Sequence, residues 1–243
     1  MLRATWLALH LLVATLLIGA VVIGGAAFGV RRGGFYLWAA RAWSRWLLAA
    51  NGTRVAVSGM EYLALDRPQI IAANHVSWFD VLAIASVLPK RFRFVAKEEL
   101  GRVPIFGHAW KAAGHISVDR RDTQSAIASL QVASRHMRED NSAVVIFPEG
   151  TRSATGELLP FKKGAFMLAL VSGVDIVPTA VLGTRAMLPK GEWRVRGGRI
   201  NVRFGPPVET LRYGEAGRDA LIADVRSEIQ GMLGPSLPEG PTS

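Results

Sequence analysis

The sequence predicts an α/β protein with a mixed, largely parallel sheet covered by helices, preceded by a membrane-associated helical hairpin. Short apolar runs typical of strands alternate with helical patterns beyond about residue 50, and such alternation favours a largely parallel sheet. Residues 4–30 carry no acidic or basic residue apart from one histidine, and consist mainly of Leu, Val, Ile, Ala and Gly. This uncharged stretch predicts the first helix of the hairpin.

The apolar stretch is long enough to serve as a membrane segment, since about 20 apolar residues span a hydrocarbon core. It is too long for an ordinary signal-peptide core, and Arg31 and Arg32 follow it in place of a small-residue cleavage site. We therefore expect a retained segment, either spanning the bilayer or immersed in it. With Arg41 and Arg45 further on, the positive-inside tendency places the rest of the chain on the cytoplasmic face of the cell inner membrane.

The second half of the predicted hairpin, residues 34–50, mixes tryptophans with arginines. Tryptophan is favoured where a membrane meets water, and arginine can reach up to lipid headgroups. This composition predicts an interfacial amphipathic helix, with an ordinary core-packing helix as the alternative. The residues concerned are Trp38, Trp43, Trp46, Arg41 and Arg45.

Residues 51–234 have the composition of one α/β domain, and the Pro-, Gly- and Ser-containing tail 235–243 is expected to be disordered. The runs that predict strands are Arg54–Ser58, Gln69–Ala73, Phe92–Ala96, Ser142–Phe147, Asp175–Val181 and Ile200–Phe204. The patterns that predict helices are Phe79–Val87, Thr123–Arg138, Gly164–Val171 and Gly217–Leu233.

Composition narrows the possible chemistry. The absence of cysteine excludes disulfides, thiolate zinc sites and a cysteine nucleophile. The formal charge of +10 favours a partner that carries phosphate, either nucleic acid or an anionic lipid surface. No nucleic-acid module is recognisable, so we expect no nucleic acid. Four histidines have no metal-ligand spacing and are expected to be structural or solvated, without a metal: His10, His108, His115 and His136.

The run NHVSWFD, residues 74–80, places two ionisable side chains between apolar stretches. Ser77 and Asp80 have the spacing of a capping box, which predicts that a helix starts at Ser77. In a regular helix His75 and Asp80 would lie about 140° apart, but a loop-to-helix junction lets the chain fold His75 back toward Asp80. The positive end of the helix dipole would keep Asp80 ionised.

A histidine oriented by a carboxylate can act as a general base. The chain has neither a cysteine nor a G-x-S-x-G elbow to supply a nucleophile. We therefore expect the pair His75 and Asp80 to activate a substrate hydroxyl directly.

Two further runs could bind an anion. FPEGTRS, residues 147–153, follows a strand-like run, where α/β folds place functional loops, and Arg152 offers a planar fork for phosphate. The alternative is a surface turn with a Glu–Arg ion pair. In LPFKKGAF, residues 159–166, Lys162 and Lys163 precede an apolar helix whose free N–H groups could join them around an anion. A solvated basic loop is the alternative there.

Together with GHISVDR at 114–120 and IVPTA at 176–180, these runs resemble the motifs of the glycerolipid acyltransferase family. That family shows His-x4-Asp, a motif ending in Arg, Pro-Glu-Gly-Thr-Arg and a short apolar Pro motif, in this order. The resemblance covers roughly residues 55–210, and VAKEEL at 95–100 also resembles the family. We expect the IVPTAV run to carry no chemistry and only to shape the wall of a site.

The resemblance implies that His75 deprotonates the free hydroxyl of 1-acylglycerol 3-phosphate while Asp80 orients it. The product would be phosphatidate. The acyl thioester of acyl-CoA or acyl carrier protein would be the co-substrate, with no other cofactor, and the acceptor would come from an anionic membrane. The resemblance also implies which residues bind the acceptor: Arg120, Glu149, Gly150, Thr151 and Arg152. Possible electrostatic helpers are Lys97, Lys162 and Lys163.

Alternative functions stay open at this point. The nearest is acyl transfer to a lyso-ornithine lipid, although an acceptor without phosphate would give Arg120 and Arg152 less to do. Two functions of another class are a membrane-tethered lipid hydrolase that uses a His–Asp activated water, and a non-catalytic lipid-binding protein.

Overall fold

The computed structural model describes residues 2–30, 33–118, 132, 134–135 and 137–234. Seven strands within these residues form one sheet in the order β1-β7-β6-β2-β5-β3-β4. The strands are β1 (Arg54–Ser58), β2 (Gln69–Ala73), β3 (Phe92–Lys97), β4 (Ile116–Val118), β5 (Ala143–Ile146), β6 (Ile176–Leu182) and β7 (Arg199–Phe204).

The sheet is mixed and largely parallel, as the sequence predicted. Strands β6, β2, β5, β3 and β4 run in one direction. Strand β7 pairs antiparallel with β6, and β1 pairs parallel with β7. The carboxyl ends of the five co-directional strands therefore meet at one side of the sheet, called here the carboxyl edge.

Seven α-helices are bounded within the described residues, around the sheet and in the N-terminal hairpin. They are α1 (Leu2–Ala27), α2 (Gly33–Ala50), α3 (Phe79–Val87), α4 (Phe106–Ala112), α5 (Lys163–Ser172), α6 (Thr184–Met187) and α7 (Arg218–Leu233). The helix predicted over Thr123–Arg138 falls mostly outside the described residues, and the tail 235–243 falls entirely outside them. The division into domains at residue 50 stays a prediction.

The central strand β2 shows why helices cover both faces of the sheet. All five of its residues are buried, so both faces must be apolar. Side chains alternate along a strand, and accordingly Ile71 and Ala73 join a core cluster with residues of α2 and α3. Ile70 and Ala72 join a second cluster with residues of α5 and α7.

Helices α1 and α2 form the predicted hairpin and run antiparallel. The indole of Trp46 donates to His10 Nδ1 (2.9 Å), and that of Trp43 donates to Thr15 Oγ1 (3.1 Å). Helix α1 has 26 residues and a mean hydropathy of 2.5 in its most apolar window, of which 17% is buried. By length and composition it could cross a membrane.

Helix α2 packs differently from the interfacial helix that we expected. Arg45 donates to Ser86 O (3.2 Å) and Arg41 donates to Leu88 O, both at the end of α3. These arginines donate to the carbonyls of a neighbouring helix, where free carbonyl groups need donors. Leu47 and Leu48 are buried in the main core, so the C-terminal half of α2 is a core-packing helix.

Candidate active site

Three loops at the carboxyl edge bring the candidate site residues together. His75 follows β2, residues 147–152 follow β5, and Thr184 follows β6. These strands are neighbours in the order β6-β2-β5, and adjacent strands lie about 4.8 Å apart. The loops therefore share one small region, although they come from distant parts of the sequence.

His75 and Asp80 form the pair that the sequence predicted. His75 Nδ1 lies 2.8 Å from Asp80 Oδ2. The same oxygen accepts the backbone N–H groups of Val76 (2.7 Å) and Ser77 (2.8 Å). The chain between the two residues thus wraps around the Asp80 carboxylate, which brings the imidazole back to it.

The helix start differs slightly from the predicted capping box. Helix α3 begins at Phe79, and its N-cap is Trp78, one residue later than predicted. Ser77 Oγ accepts a 3.3 Å bond from the Phe79 N–H and donates to Leu188 O (2.8 Å). Asp80 nevertheless bonds the Ser77 N–H as a capping box requires. The start of the helix and the His–Asp pair are therefore one structure.

Asp80 is completely buried, yet its carboxylate is well provided with donors. Besides the three groups on Oδ2, the hydroxyl of Thr184 donates to Oδ1. A buried charge is tolerated when hydrogen bonds replace its hydration. No sequence pattern indicates Thr184, because it lies 104 positions from Asp80 and belongs to no recognisable motif.

The environment of His75 fixes its ring. The imidazole stacks on the Phe147 ring with 4.1 Å between centroids and 19° between planes. A carboxylate only accepts hydrogen bonds, so a neutral His75 bonded to Asp80 carries its proton on Nδ1 and leaves Nε2 to accept one. Only 13% of the His75 side chain is exposed.

Glu149 lies inside the site loop and not on its surface. Its Oε1 accepts the N–H of His75 (2.7 Å), and its Oε2 accepts the N–H of Leu159 (3.0 Å). The residue is 2% exposed, and burial raises its pKa to about 7 even though the two backbone bonds act in the opposite direction. This geometry gives Glu149 a positioning role, since both carboxylate oxygens are engaged by the backbone.

The following residues turn the loop toward solvent. Gly150 has φ +73°, a left-handed conformation that glycine adopts without strain, and Thr151 is exposed. The Arg152 guanidinium lies over the Trp78 ring, 5.0 Å from its centroid. Burial lowers the pKa of Arg152, and the charge of Asp80 partly offsets that shift. Arg152 therefore lies beside the His–Asp pair, as the sequence predicted.

The other predicted basic residues are spread along the same edge. Lys97 ends β3 and is exposed. Lys162 and Lys163 are exposed at the start of α5, and the Lys162 N–H donates to Pro148 O (2.7 Å) beside Glu149. Arg120 lies outside the described residues.

Two residues near the site were missed or undervalued by the sequence reasoning. The Asn74 amide pairs with both backbone groups of Val181 (2.7 and 3.0 Å), which locks the start of the His75 loop to β6. Lys190 Nζ donates to Arg152 O (2.8 Å) and lies 3.4 Å from Thr151 Oγ1. The only sequence signal for Lys190 is its place in a basic stretch after the IVPTAV run, which is weak.

No group of three or more His, Cys, Asp or Glu side chains that could hold a metal ion occurs in the described parts of the chain. The absence of a metal and of a cofactor other than the acyl thioester stays a prediction.

The chain is similar to known acyltransferases. The Acyltransferase family model matches residues 54–182. A 1-acyl-sn-glycerol-3-phosphate acyltransferase of Cocos nucifera is 35% identical over 181 residues, covering 74% of this chain and 57% of that protein. The human 1-acyl-sn-glycerol-3-phosphate acyltransferase alpha is 38% identical over 159 residues, covering 65% and 56%. The chain thus spans a little over half the length of these two relatives.

A solved structure is similar over nearly the whole chain. The crystal structure of the 1-acyl-sn-glycerophosphate (LPA) acyltransferase PlsC from Thermotoga maritima superposes with a TM-score of 0.81 and 26% sequence identity. The match covers 95% of each chain, so it includes the N-terminal hairpin as well as the sheet.

Proposed function

Because the chain belongs to the acyltransferase family, we propose that it transfers a fatty acyl group to the free hydroxyl of 1-acylglycerol 3-phosphate, giving phosphatidate. The observation that carries the proposal is the 2.8 Å contact between His75 and Asp80 at the carboxyl edge, with Arg152 beside it. The names of the relatives support the choice of acceptor.

The proposed reaction uses His75 as a general base. Its Nε2 removes the proton of the acceptor hydroxyl, while Nδ1–H donates to Asp80 and the carboxylate stabilises the imidazolium. The acceptor oxygen forms a C–O bond to the thioester carbonyl carbon, and the C–S bond of acyl-CoA or acyl carrier protein then breaks. The leaving thiolate takes the proton from the imidazolium, so that a free thiol and neutral His75 result.

The acceptor phosphate is assigned to the basic side of the site. Arg152 offers a planar donor fork, which suits a phosphate, and its stacking on Trp78 limits its conformations. Lys162 and Lys163 add positive charge at the first turn of α5, where free backbone N–H groups also favour an anion. Thr151 and Lys190 lie next to Arg152 and complete this side.

The acceptor and the product are both membrane lipids, which gives the N-terminal hairpin a purpose. The exposed apolar surface of α1 would hold the enzyme in the bilayer, and the net charge of +10 would strengthen attachment to anionic lipid. We assign the catalytic domain to the cytoplasmic face of the inner membrane, where acyl-CoA and acyl carrier protein are found.

The test is an acyl-transfer assay on the purified full chain in mixed micelles. Labelled acyl-CoA or acyl carrier protein is offered with lysophosphatidate or with lyso-ornithine lipid, and the products are separated and identified by mass spectrometry. We expect phosphatidate to form much faster than the acylated ornithine lipid. The same preparation with His108→Ala, an exposed histidine on α4, should retain full activity.

A different outcome of this assay would indicate a different function. Preferential acylation of lyso-ornithine lipid would assign that acceptor instead. Release of free fatty acid without acylated lipid would indicate a hydrolase. Lipid binding without any turnover, by a folded protein, would leave only a lipid-binding function.

A further inference from the structure

The loop between α6 and β7, residues 188–198 and called here the α6–β7 loop, exposes an unusual combination of side chains. Trp193 is 88% exposed, although a tryptophan normally buries most of its large apolar surface. Arg194 and Arg196 are exposed on either side of Val195, and Glu192 is the single acidic residue of the loop. Neither arginine forms an ion pair with another described residue. The mechanism proposed above does not use Trp193, Arg194 or Arg196.

The base of the loop is fixed to the active site. Leu188 O accepts the Ser77 hydroxyl (2.8 Å), and Lys190 Nζ donates to Arg152 O (2.8 Å). These two contacts tie the loop to both motifs of the site, those that contain His75 and Arg152. Trp193 follows three residues after Lys190, so the length of the chain keeps it within roughly 10 Å of that attachment.

The far end of the loop is fixed to the membrane hairpin. The Asn51 amide donates to Arg196 O (3.0 Å), just after the end of α2. A Cβ atom at Gly197 would lie 3.1 Å from the Arg3 guanidinium, so the loop touches the first turn of α1. The exposed apolar side chains of α1 begin in this same region with Leu2 and Trp6.

We propose that the α6–β7 loop docks onto an anionic lipid surface, with the Trp193 indole among the headgroups and Arg194 and Arg196 against lipid phosphates. This contact is separate from α1 and rests on the membrane association proposed above. It places the mouth of the active site at the headgroup layer, where a lysophospholipid hydroxyl lies, so that the acceptor need not leave the bilayer.

Lipid is the occupant that fits these residues. Tryptophan and arginine are the side chains favoured at the membrane interface, because each combines an apolar body with a polar end. Juxtamembrane basic residues are attracted to anionic lipid. The loop also contacts the first turn of α1, whose exposed apolar surface is the proposed membrane anchor.

The absence of cysteine makes a direct test possible. Trp193→Cys in the full chain is labelled with an environment-sensitive fluorophore and mixed with phosphatidylglycerol or phosphatidylcholine vesicles. The matched control is Leu211→Cys, an apolar side chain that is 79% exposed and lies at the opposite edge of the sheet. We expect a blue shift at position 193 with phosphatidylglycerol, a smaller one with phosphatidylcholine, and none at position 211.

Charge reversal tests the two arginines. Arg194→Glu with Arg196→Glu should weaken binding to phosphatidylglycerol vesicles by at least about tenfold. Arg212→Glu with Arg218→Glu makes the same change in net charge elsewhere and should have a much smaller effect.

The outcomes separate this proposal from the proposed function. If the protein sediments with vesicles and transfers acyl groups while the label at 193 stays in water, the loop proposal is wrong and the proposed function stands. Equal shifts with both lipids, or equal weakening by the two charge reversals, would overturn the anionic-lipid part. Failure of the wild-type chain to bind any vesicle would overturn the loop proposal and the membrane association on which it rests, whereas the acyl-transfer assay in micelles would still decide the proposed function.

Discussion

One oxygen atom of Asp80 holds both the ring of His75 and the backbone that follows it. Oδ2 lies 2.8 Å from His75 Nδ1 and accepts the N–H groups of Val76 and Ser77. The carboxylate therefore sets the position of the histidine through the main chain as well as through the side chain. Removing the carboxylate should disturb both the tautomer and the position of the imidazole.

Removing the base of this pair should remove most of the activity. His75→Ala should lower acyl transfer by about 10²–10⁴-fold, because that is the usual contribution of a positioned base. His75 lies in the loop between β2 and α3, outside any helix or strand, so the circular dichroism spectrum should stay that of the wild type. A folded, vesicle-bound His75→Ala variant with normal turnover would contradict the base assignment.

Asp80→Asn removes the charge of the carboxylate and keeps the shape of the side chain. The amide can accept with its oxygen only, so at least one of the donors around the wild-type carboxylate loses its acceptor. We expect a loss of turnover comparable to that of His75→Ala, together with a lower midpoint of thermal unfolding. An Asp80→Asn enzyme within threefold of the wild type would show that the carboxylate is not required.

Thr184 should act through Asp80. Thr184→Val keeps the shape but removes the donor to Oδ1, and an unsatisfied buried acceptor costs about 1–3 kcal/mol. Without this donor, the Asp80 carboxylate should stabilise the imidazolium form of His75 more strongly. The acidic limb of the kcat/KM profile should therefore move to higher pH. Thr184→Ser keeps the hydroxyl and should restore the limb. A profile unchanged in Thr184→Val would indicate that the residue only fills space.

Burial of Glu149 predicts a pH-dependent stability. Its pKa in the folded state is raised to about 7 from an ordinary value of 4.5, so the folded state holds this proton more tightly than the unfolded state. The contribution is fully present below pH 4.5 and is lost as pH rises to about 7, a change of about 3 kcal/mol in the free energy of unfolding. Urea unfolding from pH 4.5 to 7.5 measures this change.

Glu149→Gln should abolish that part of the pH dependence, because the amide does not titrate. It should also lower stability at acidic pH, since one of the two backbone donors loses its acceptor. Glu157→Gln, at an exposed position, serves as the control. Identical pH profiles for the wild type and Glu149→Gln would show that Glu149 is not protonated in the folded protein near neutral pH.

His115 should produce the opposite pH dependence. Burial, helped by the Arg93 charge, lowers its pKa to about 3 from 6.5, and its Nδ1 accepts the Phe94 N–H (3.1 Å). Its contribution is fully present above pH 6.5 and is lost as pH falls toward 3, by up to about 1.4 kcal/mol per pH unit. His115→Gln can keep the accepted bond without titrating, so it should flatten the acidic side of the stability profile.

The apolar surface of α1 should be tested without truncation. Deleting residues 1–50 would remove Leu47 and Leu48 from the core and so unfold the sheet domain. Leu9→Lys and Leu16→Lys change only exposed positions, 54% and 42% accessible. A charge deep in a bilayer costs about 2.5–3.5 kcal/mol, so sedimentation with vesicles should fall sharply.

The control for these substitutions is Val171→Lys with Leu211→Lys, which adds the same charge at exposed apolar positions outside the hairpin. It should sediment like the wild type. Equal sedimentation of the α1 variant and this control would mean that the anchor lies elsewhere.

Local pattern was enough to predict elements that are bounded by clear breaks. The strand-like runs Arg54–Ser58 and Gln69–Ala73 and the helix Phe79–Val87 have the predicted bounds in the structure, because each is apolar with clear breaks on both sides. Strand β4, with three residues, and helix α4, with seven, were missed. Elements this short do not repeat a period often enough to be recognised, and tertiary contacts stabilise them.

The sequence by itself determined which chemistry is available: a His–Asp pair near a helix start, an arginine after a strand, a basic chain without cysteine and an apolar N-terminal helix. Only the tertiary structure decided which groups meet. Parallel pairing of β2 between β5 and β6 brings Glu149 to the His75 backbone and Thr184 to Asp80. Such contacts join residues 74 and 104 positions apart, and no local pattern encodes them, because strand order is set by burial of both sheet faces.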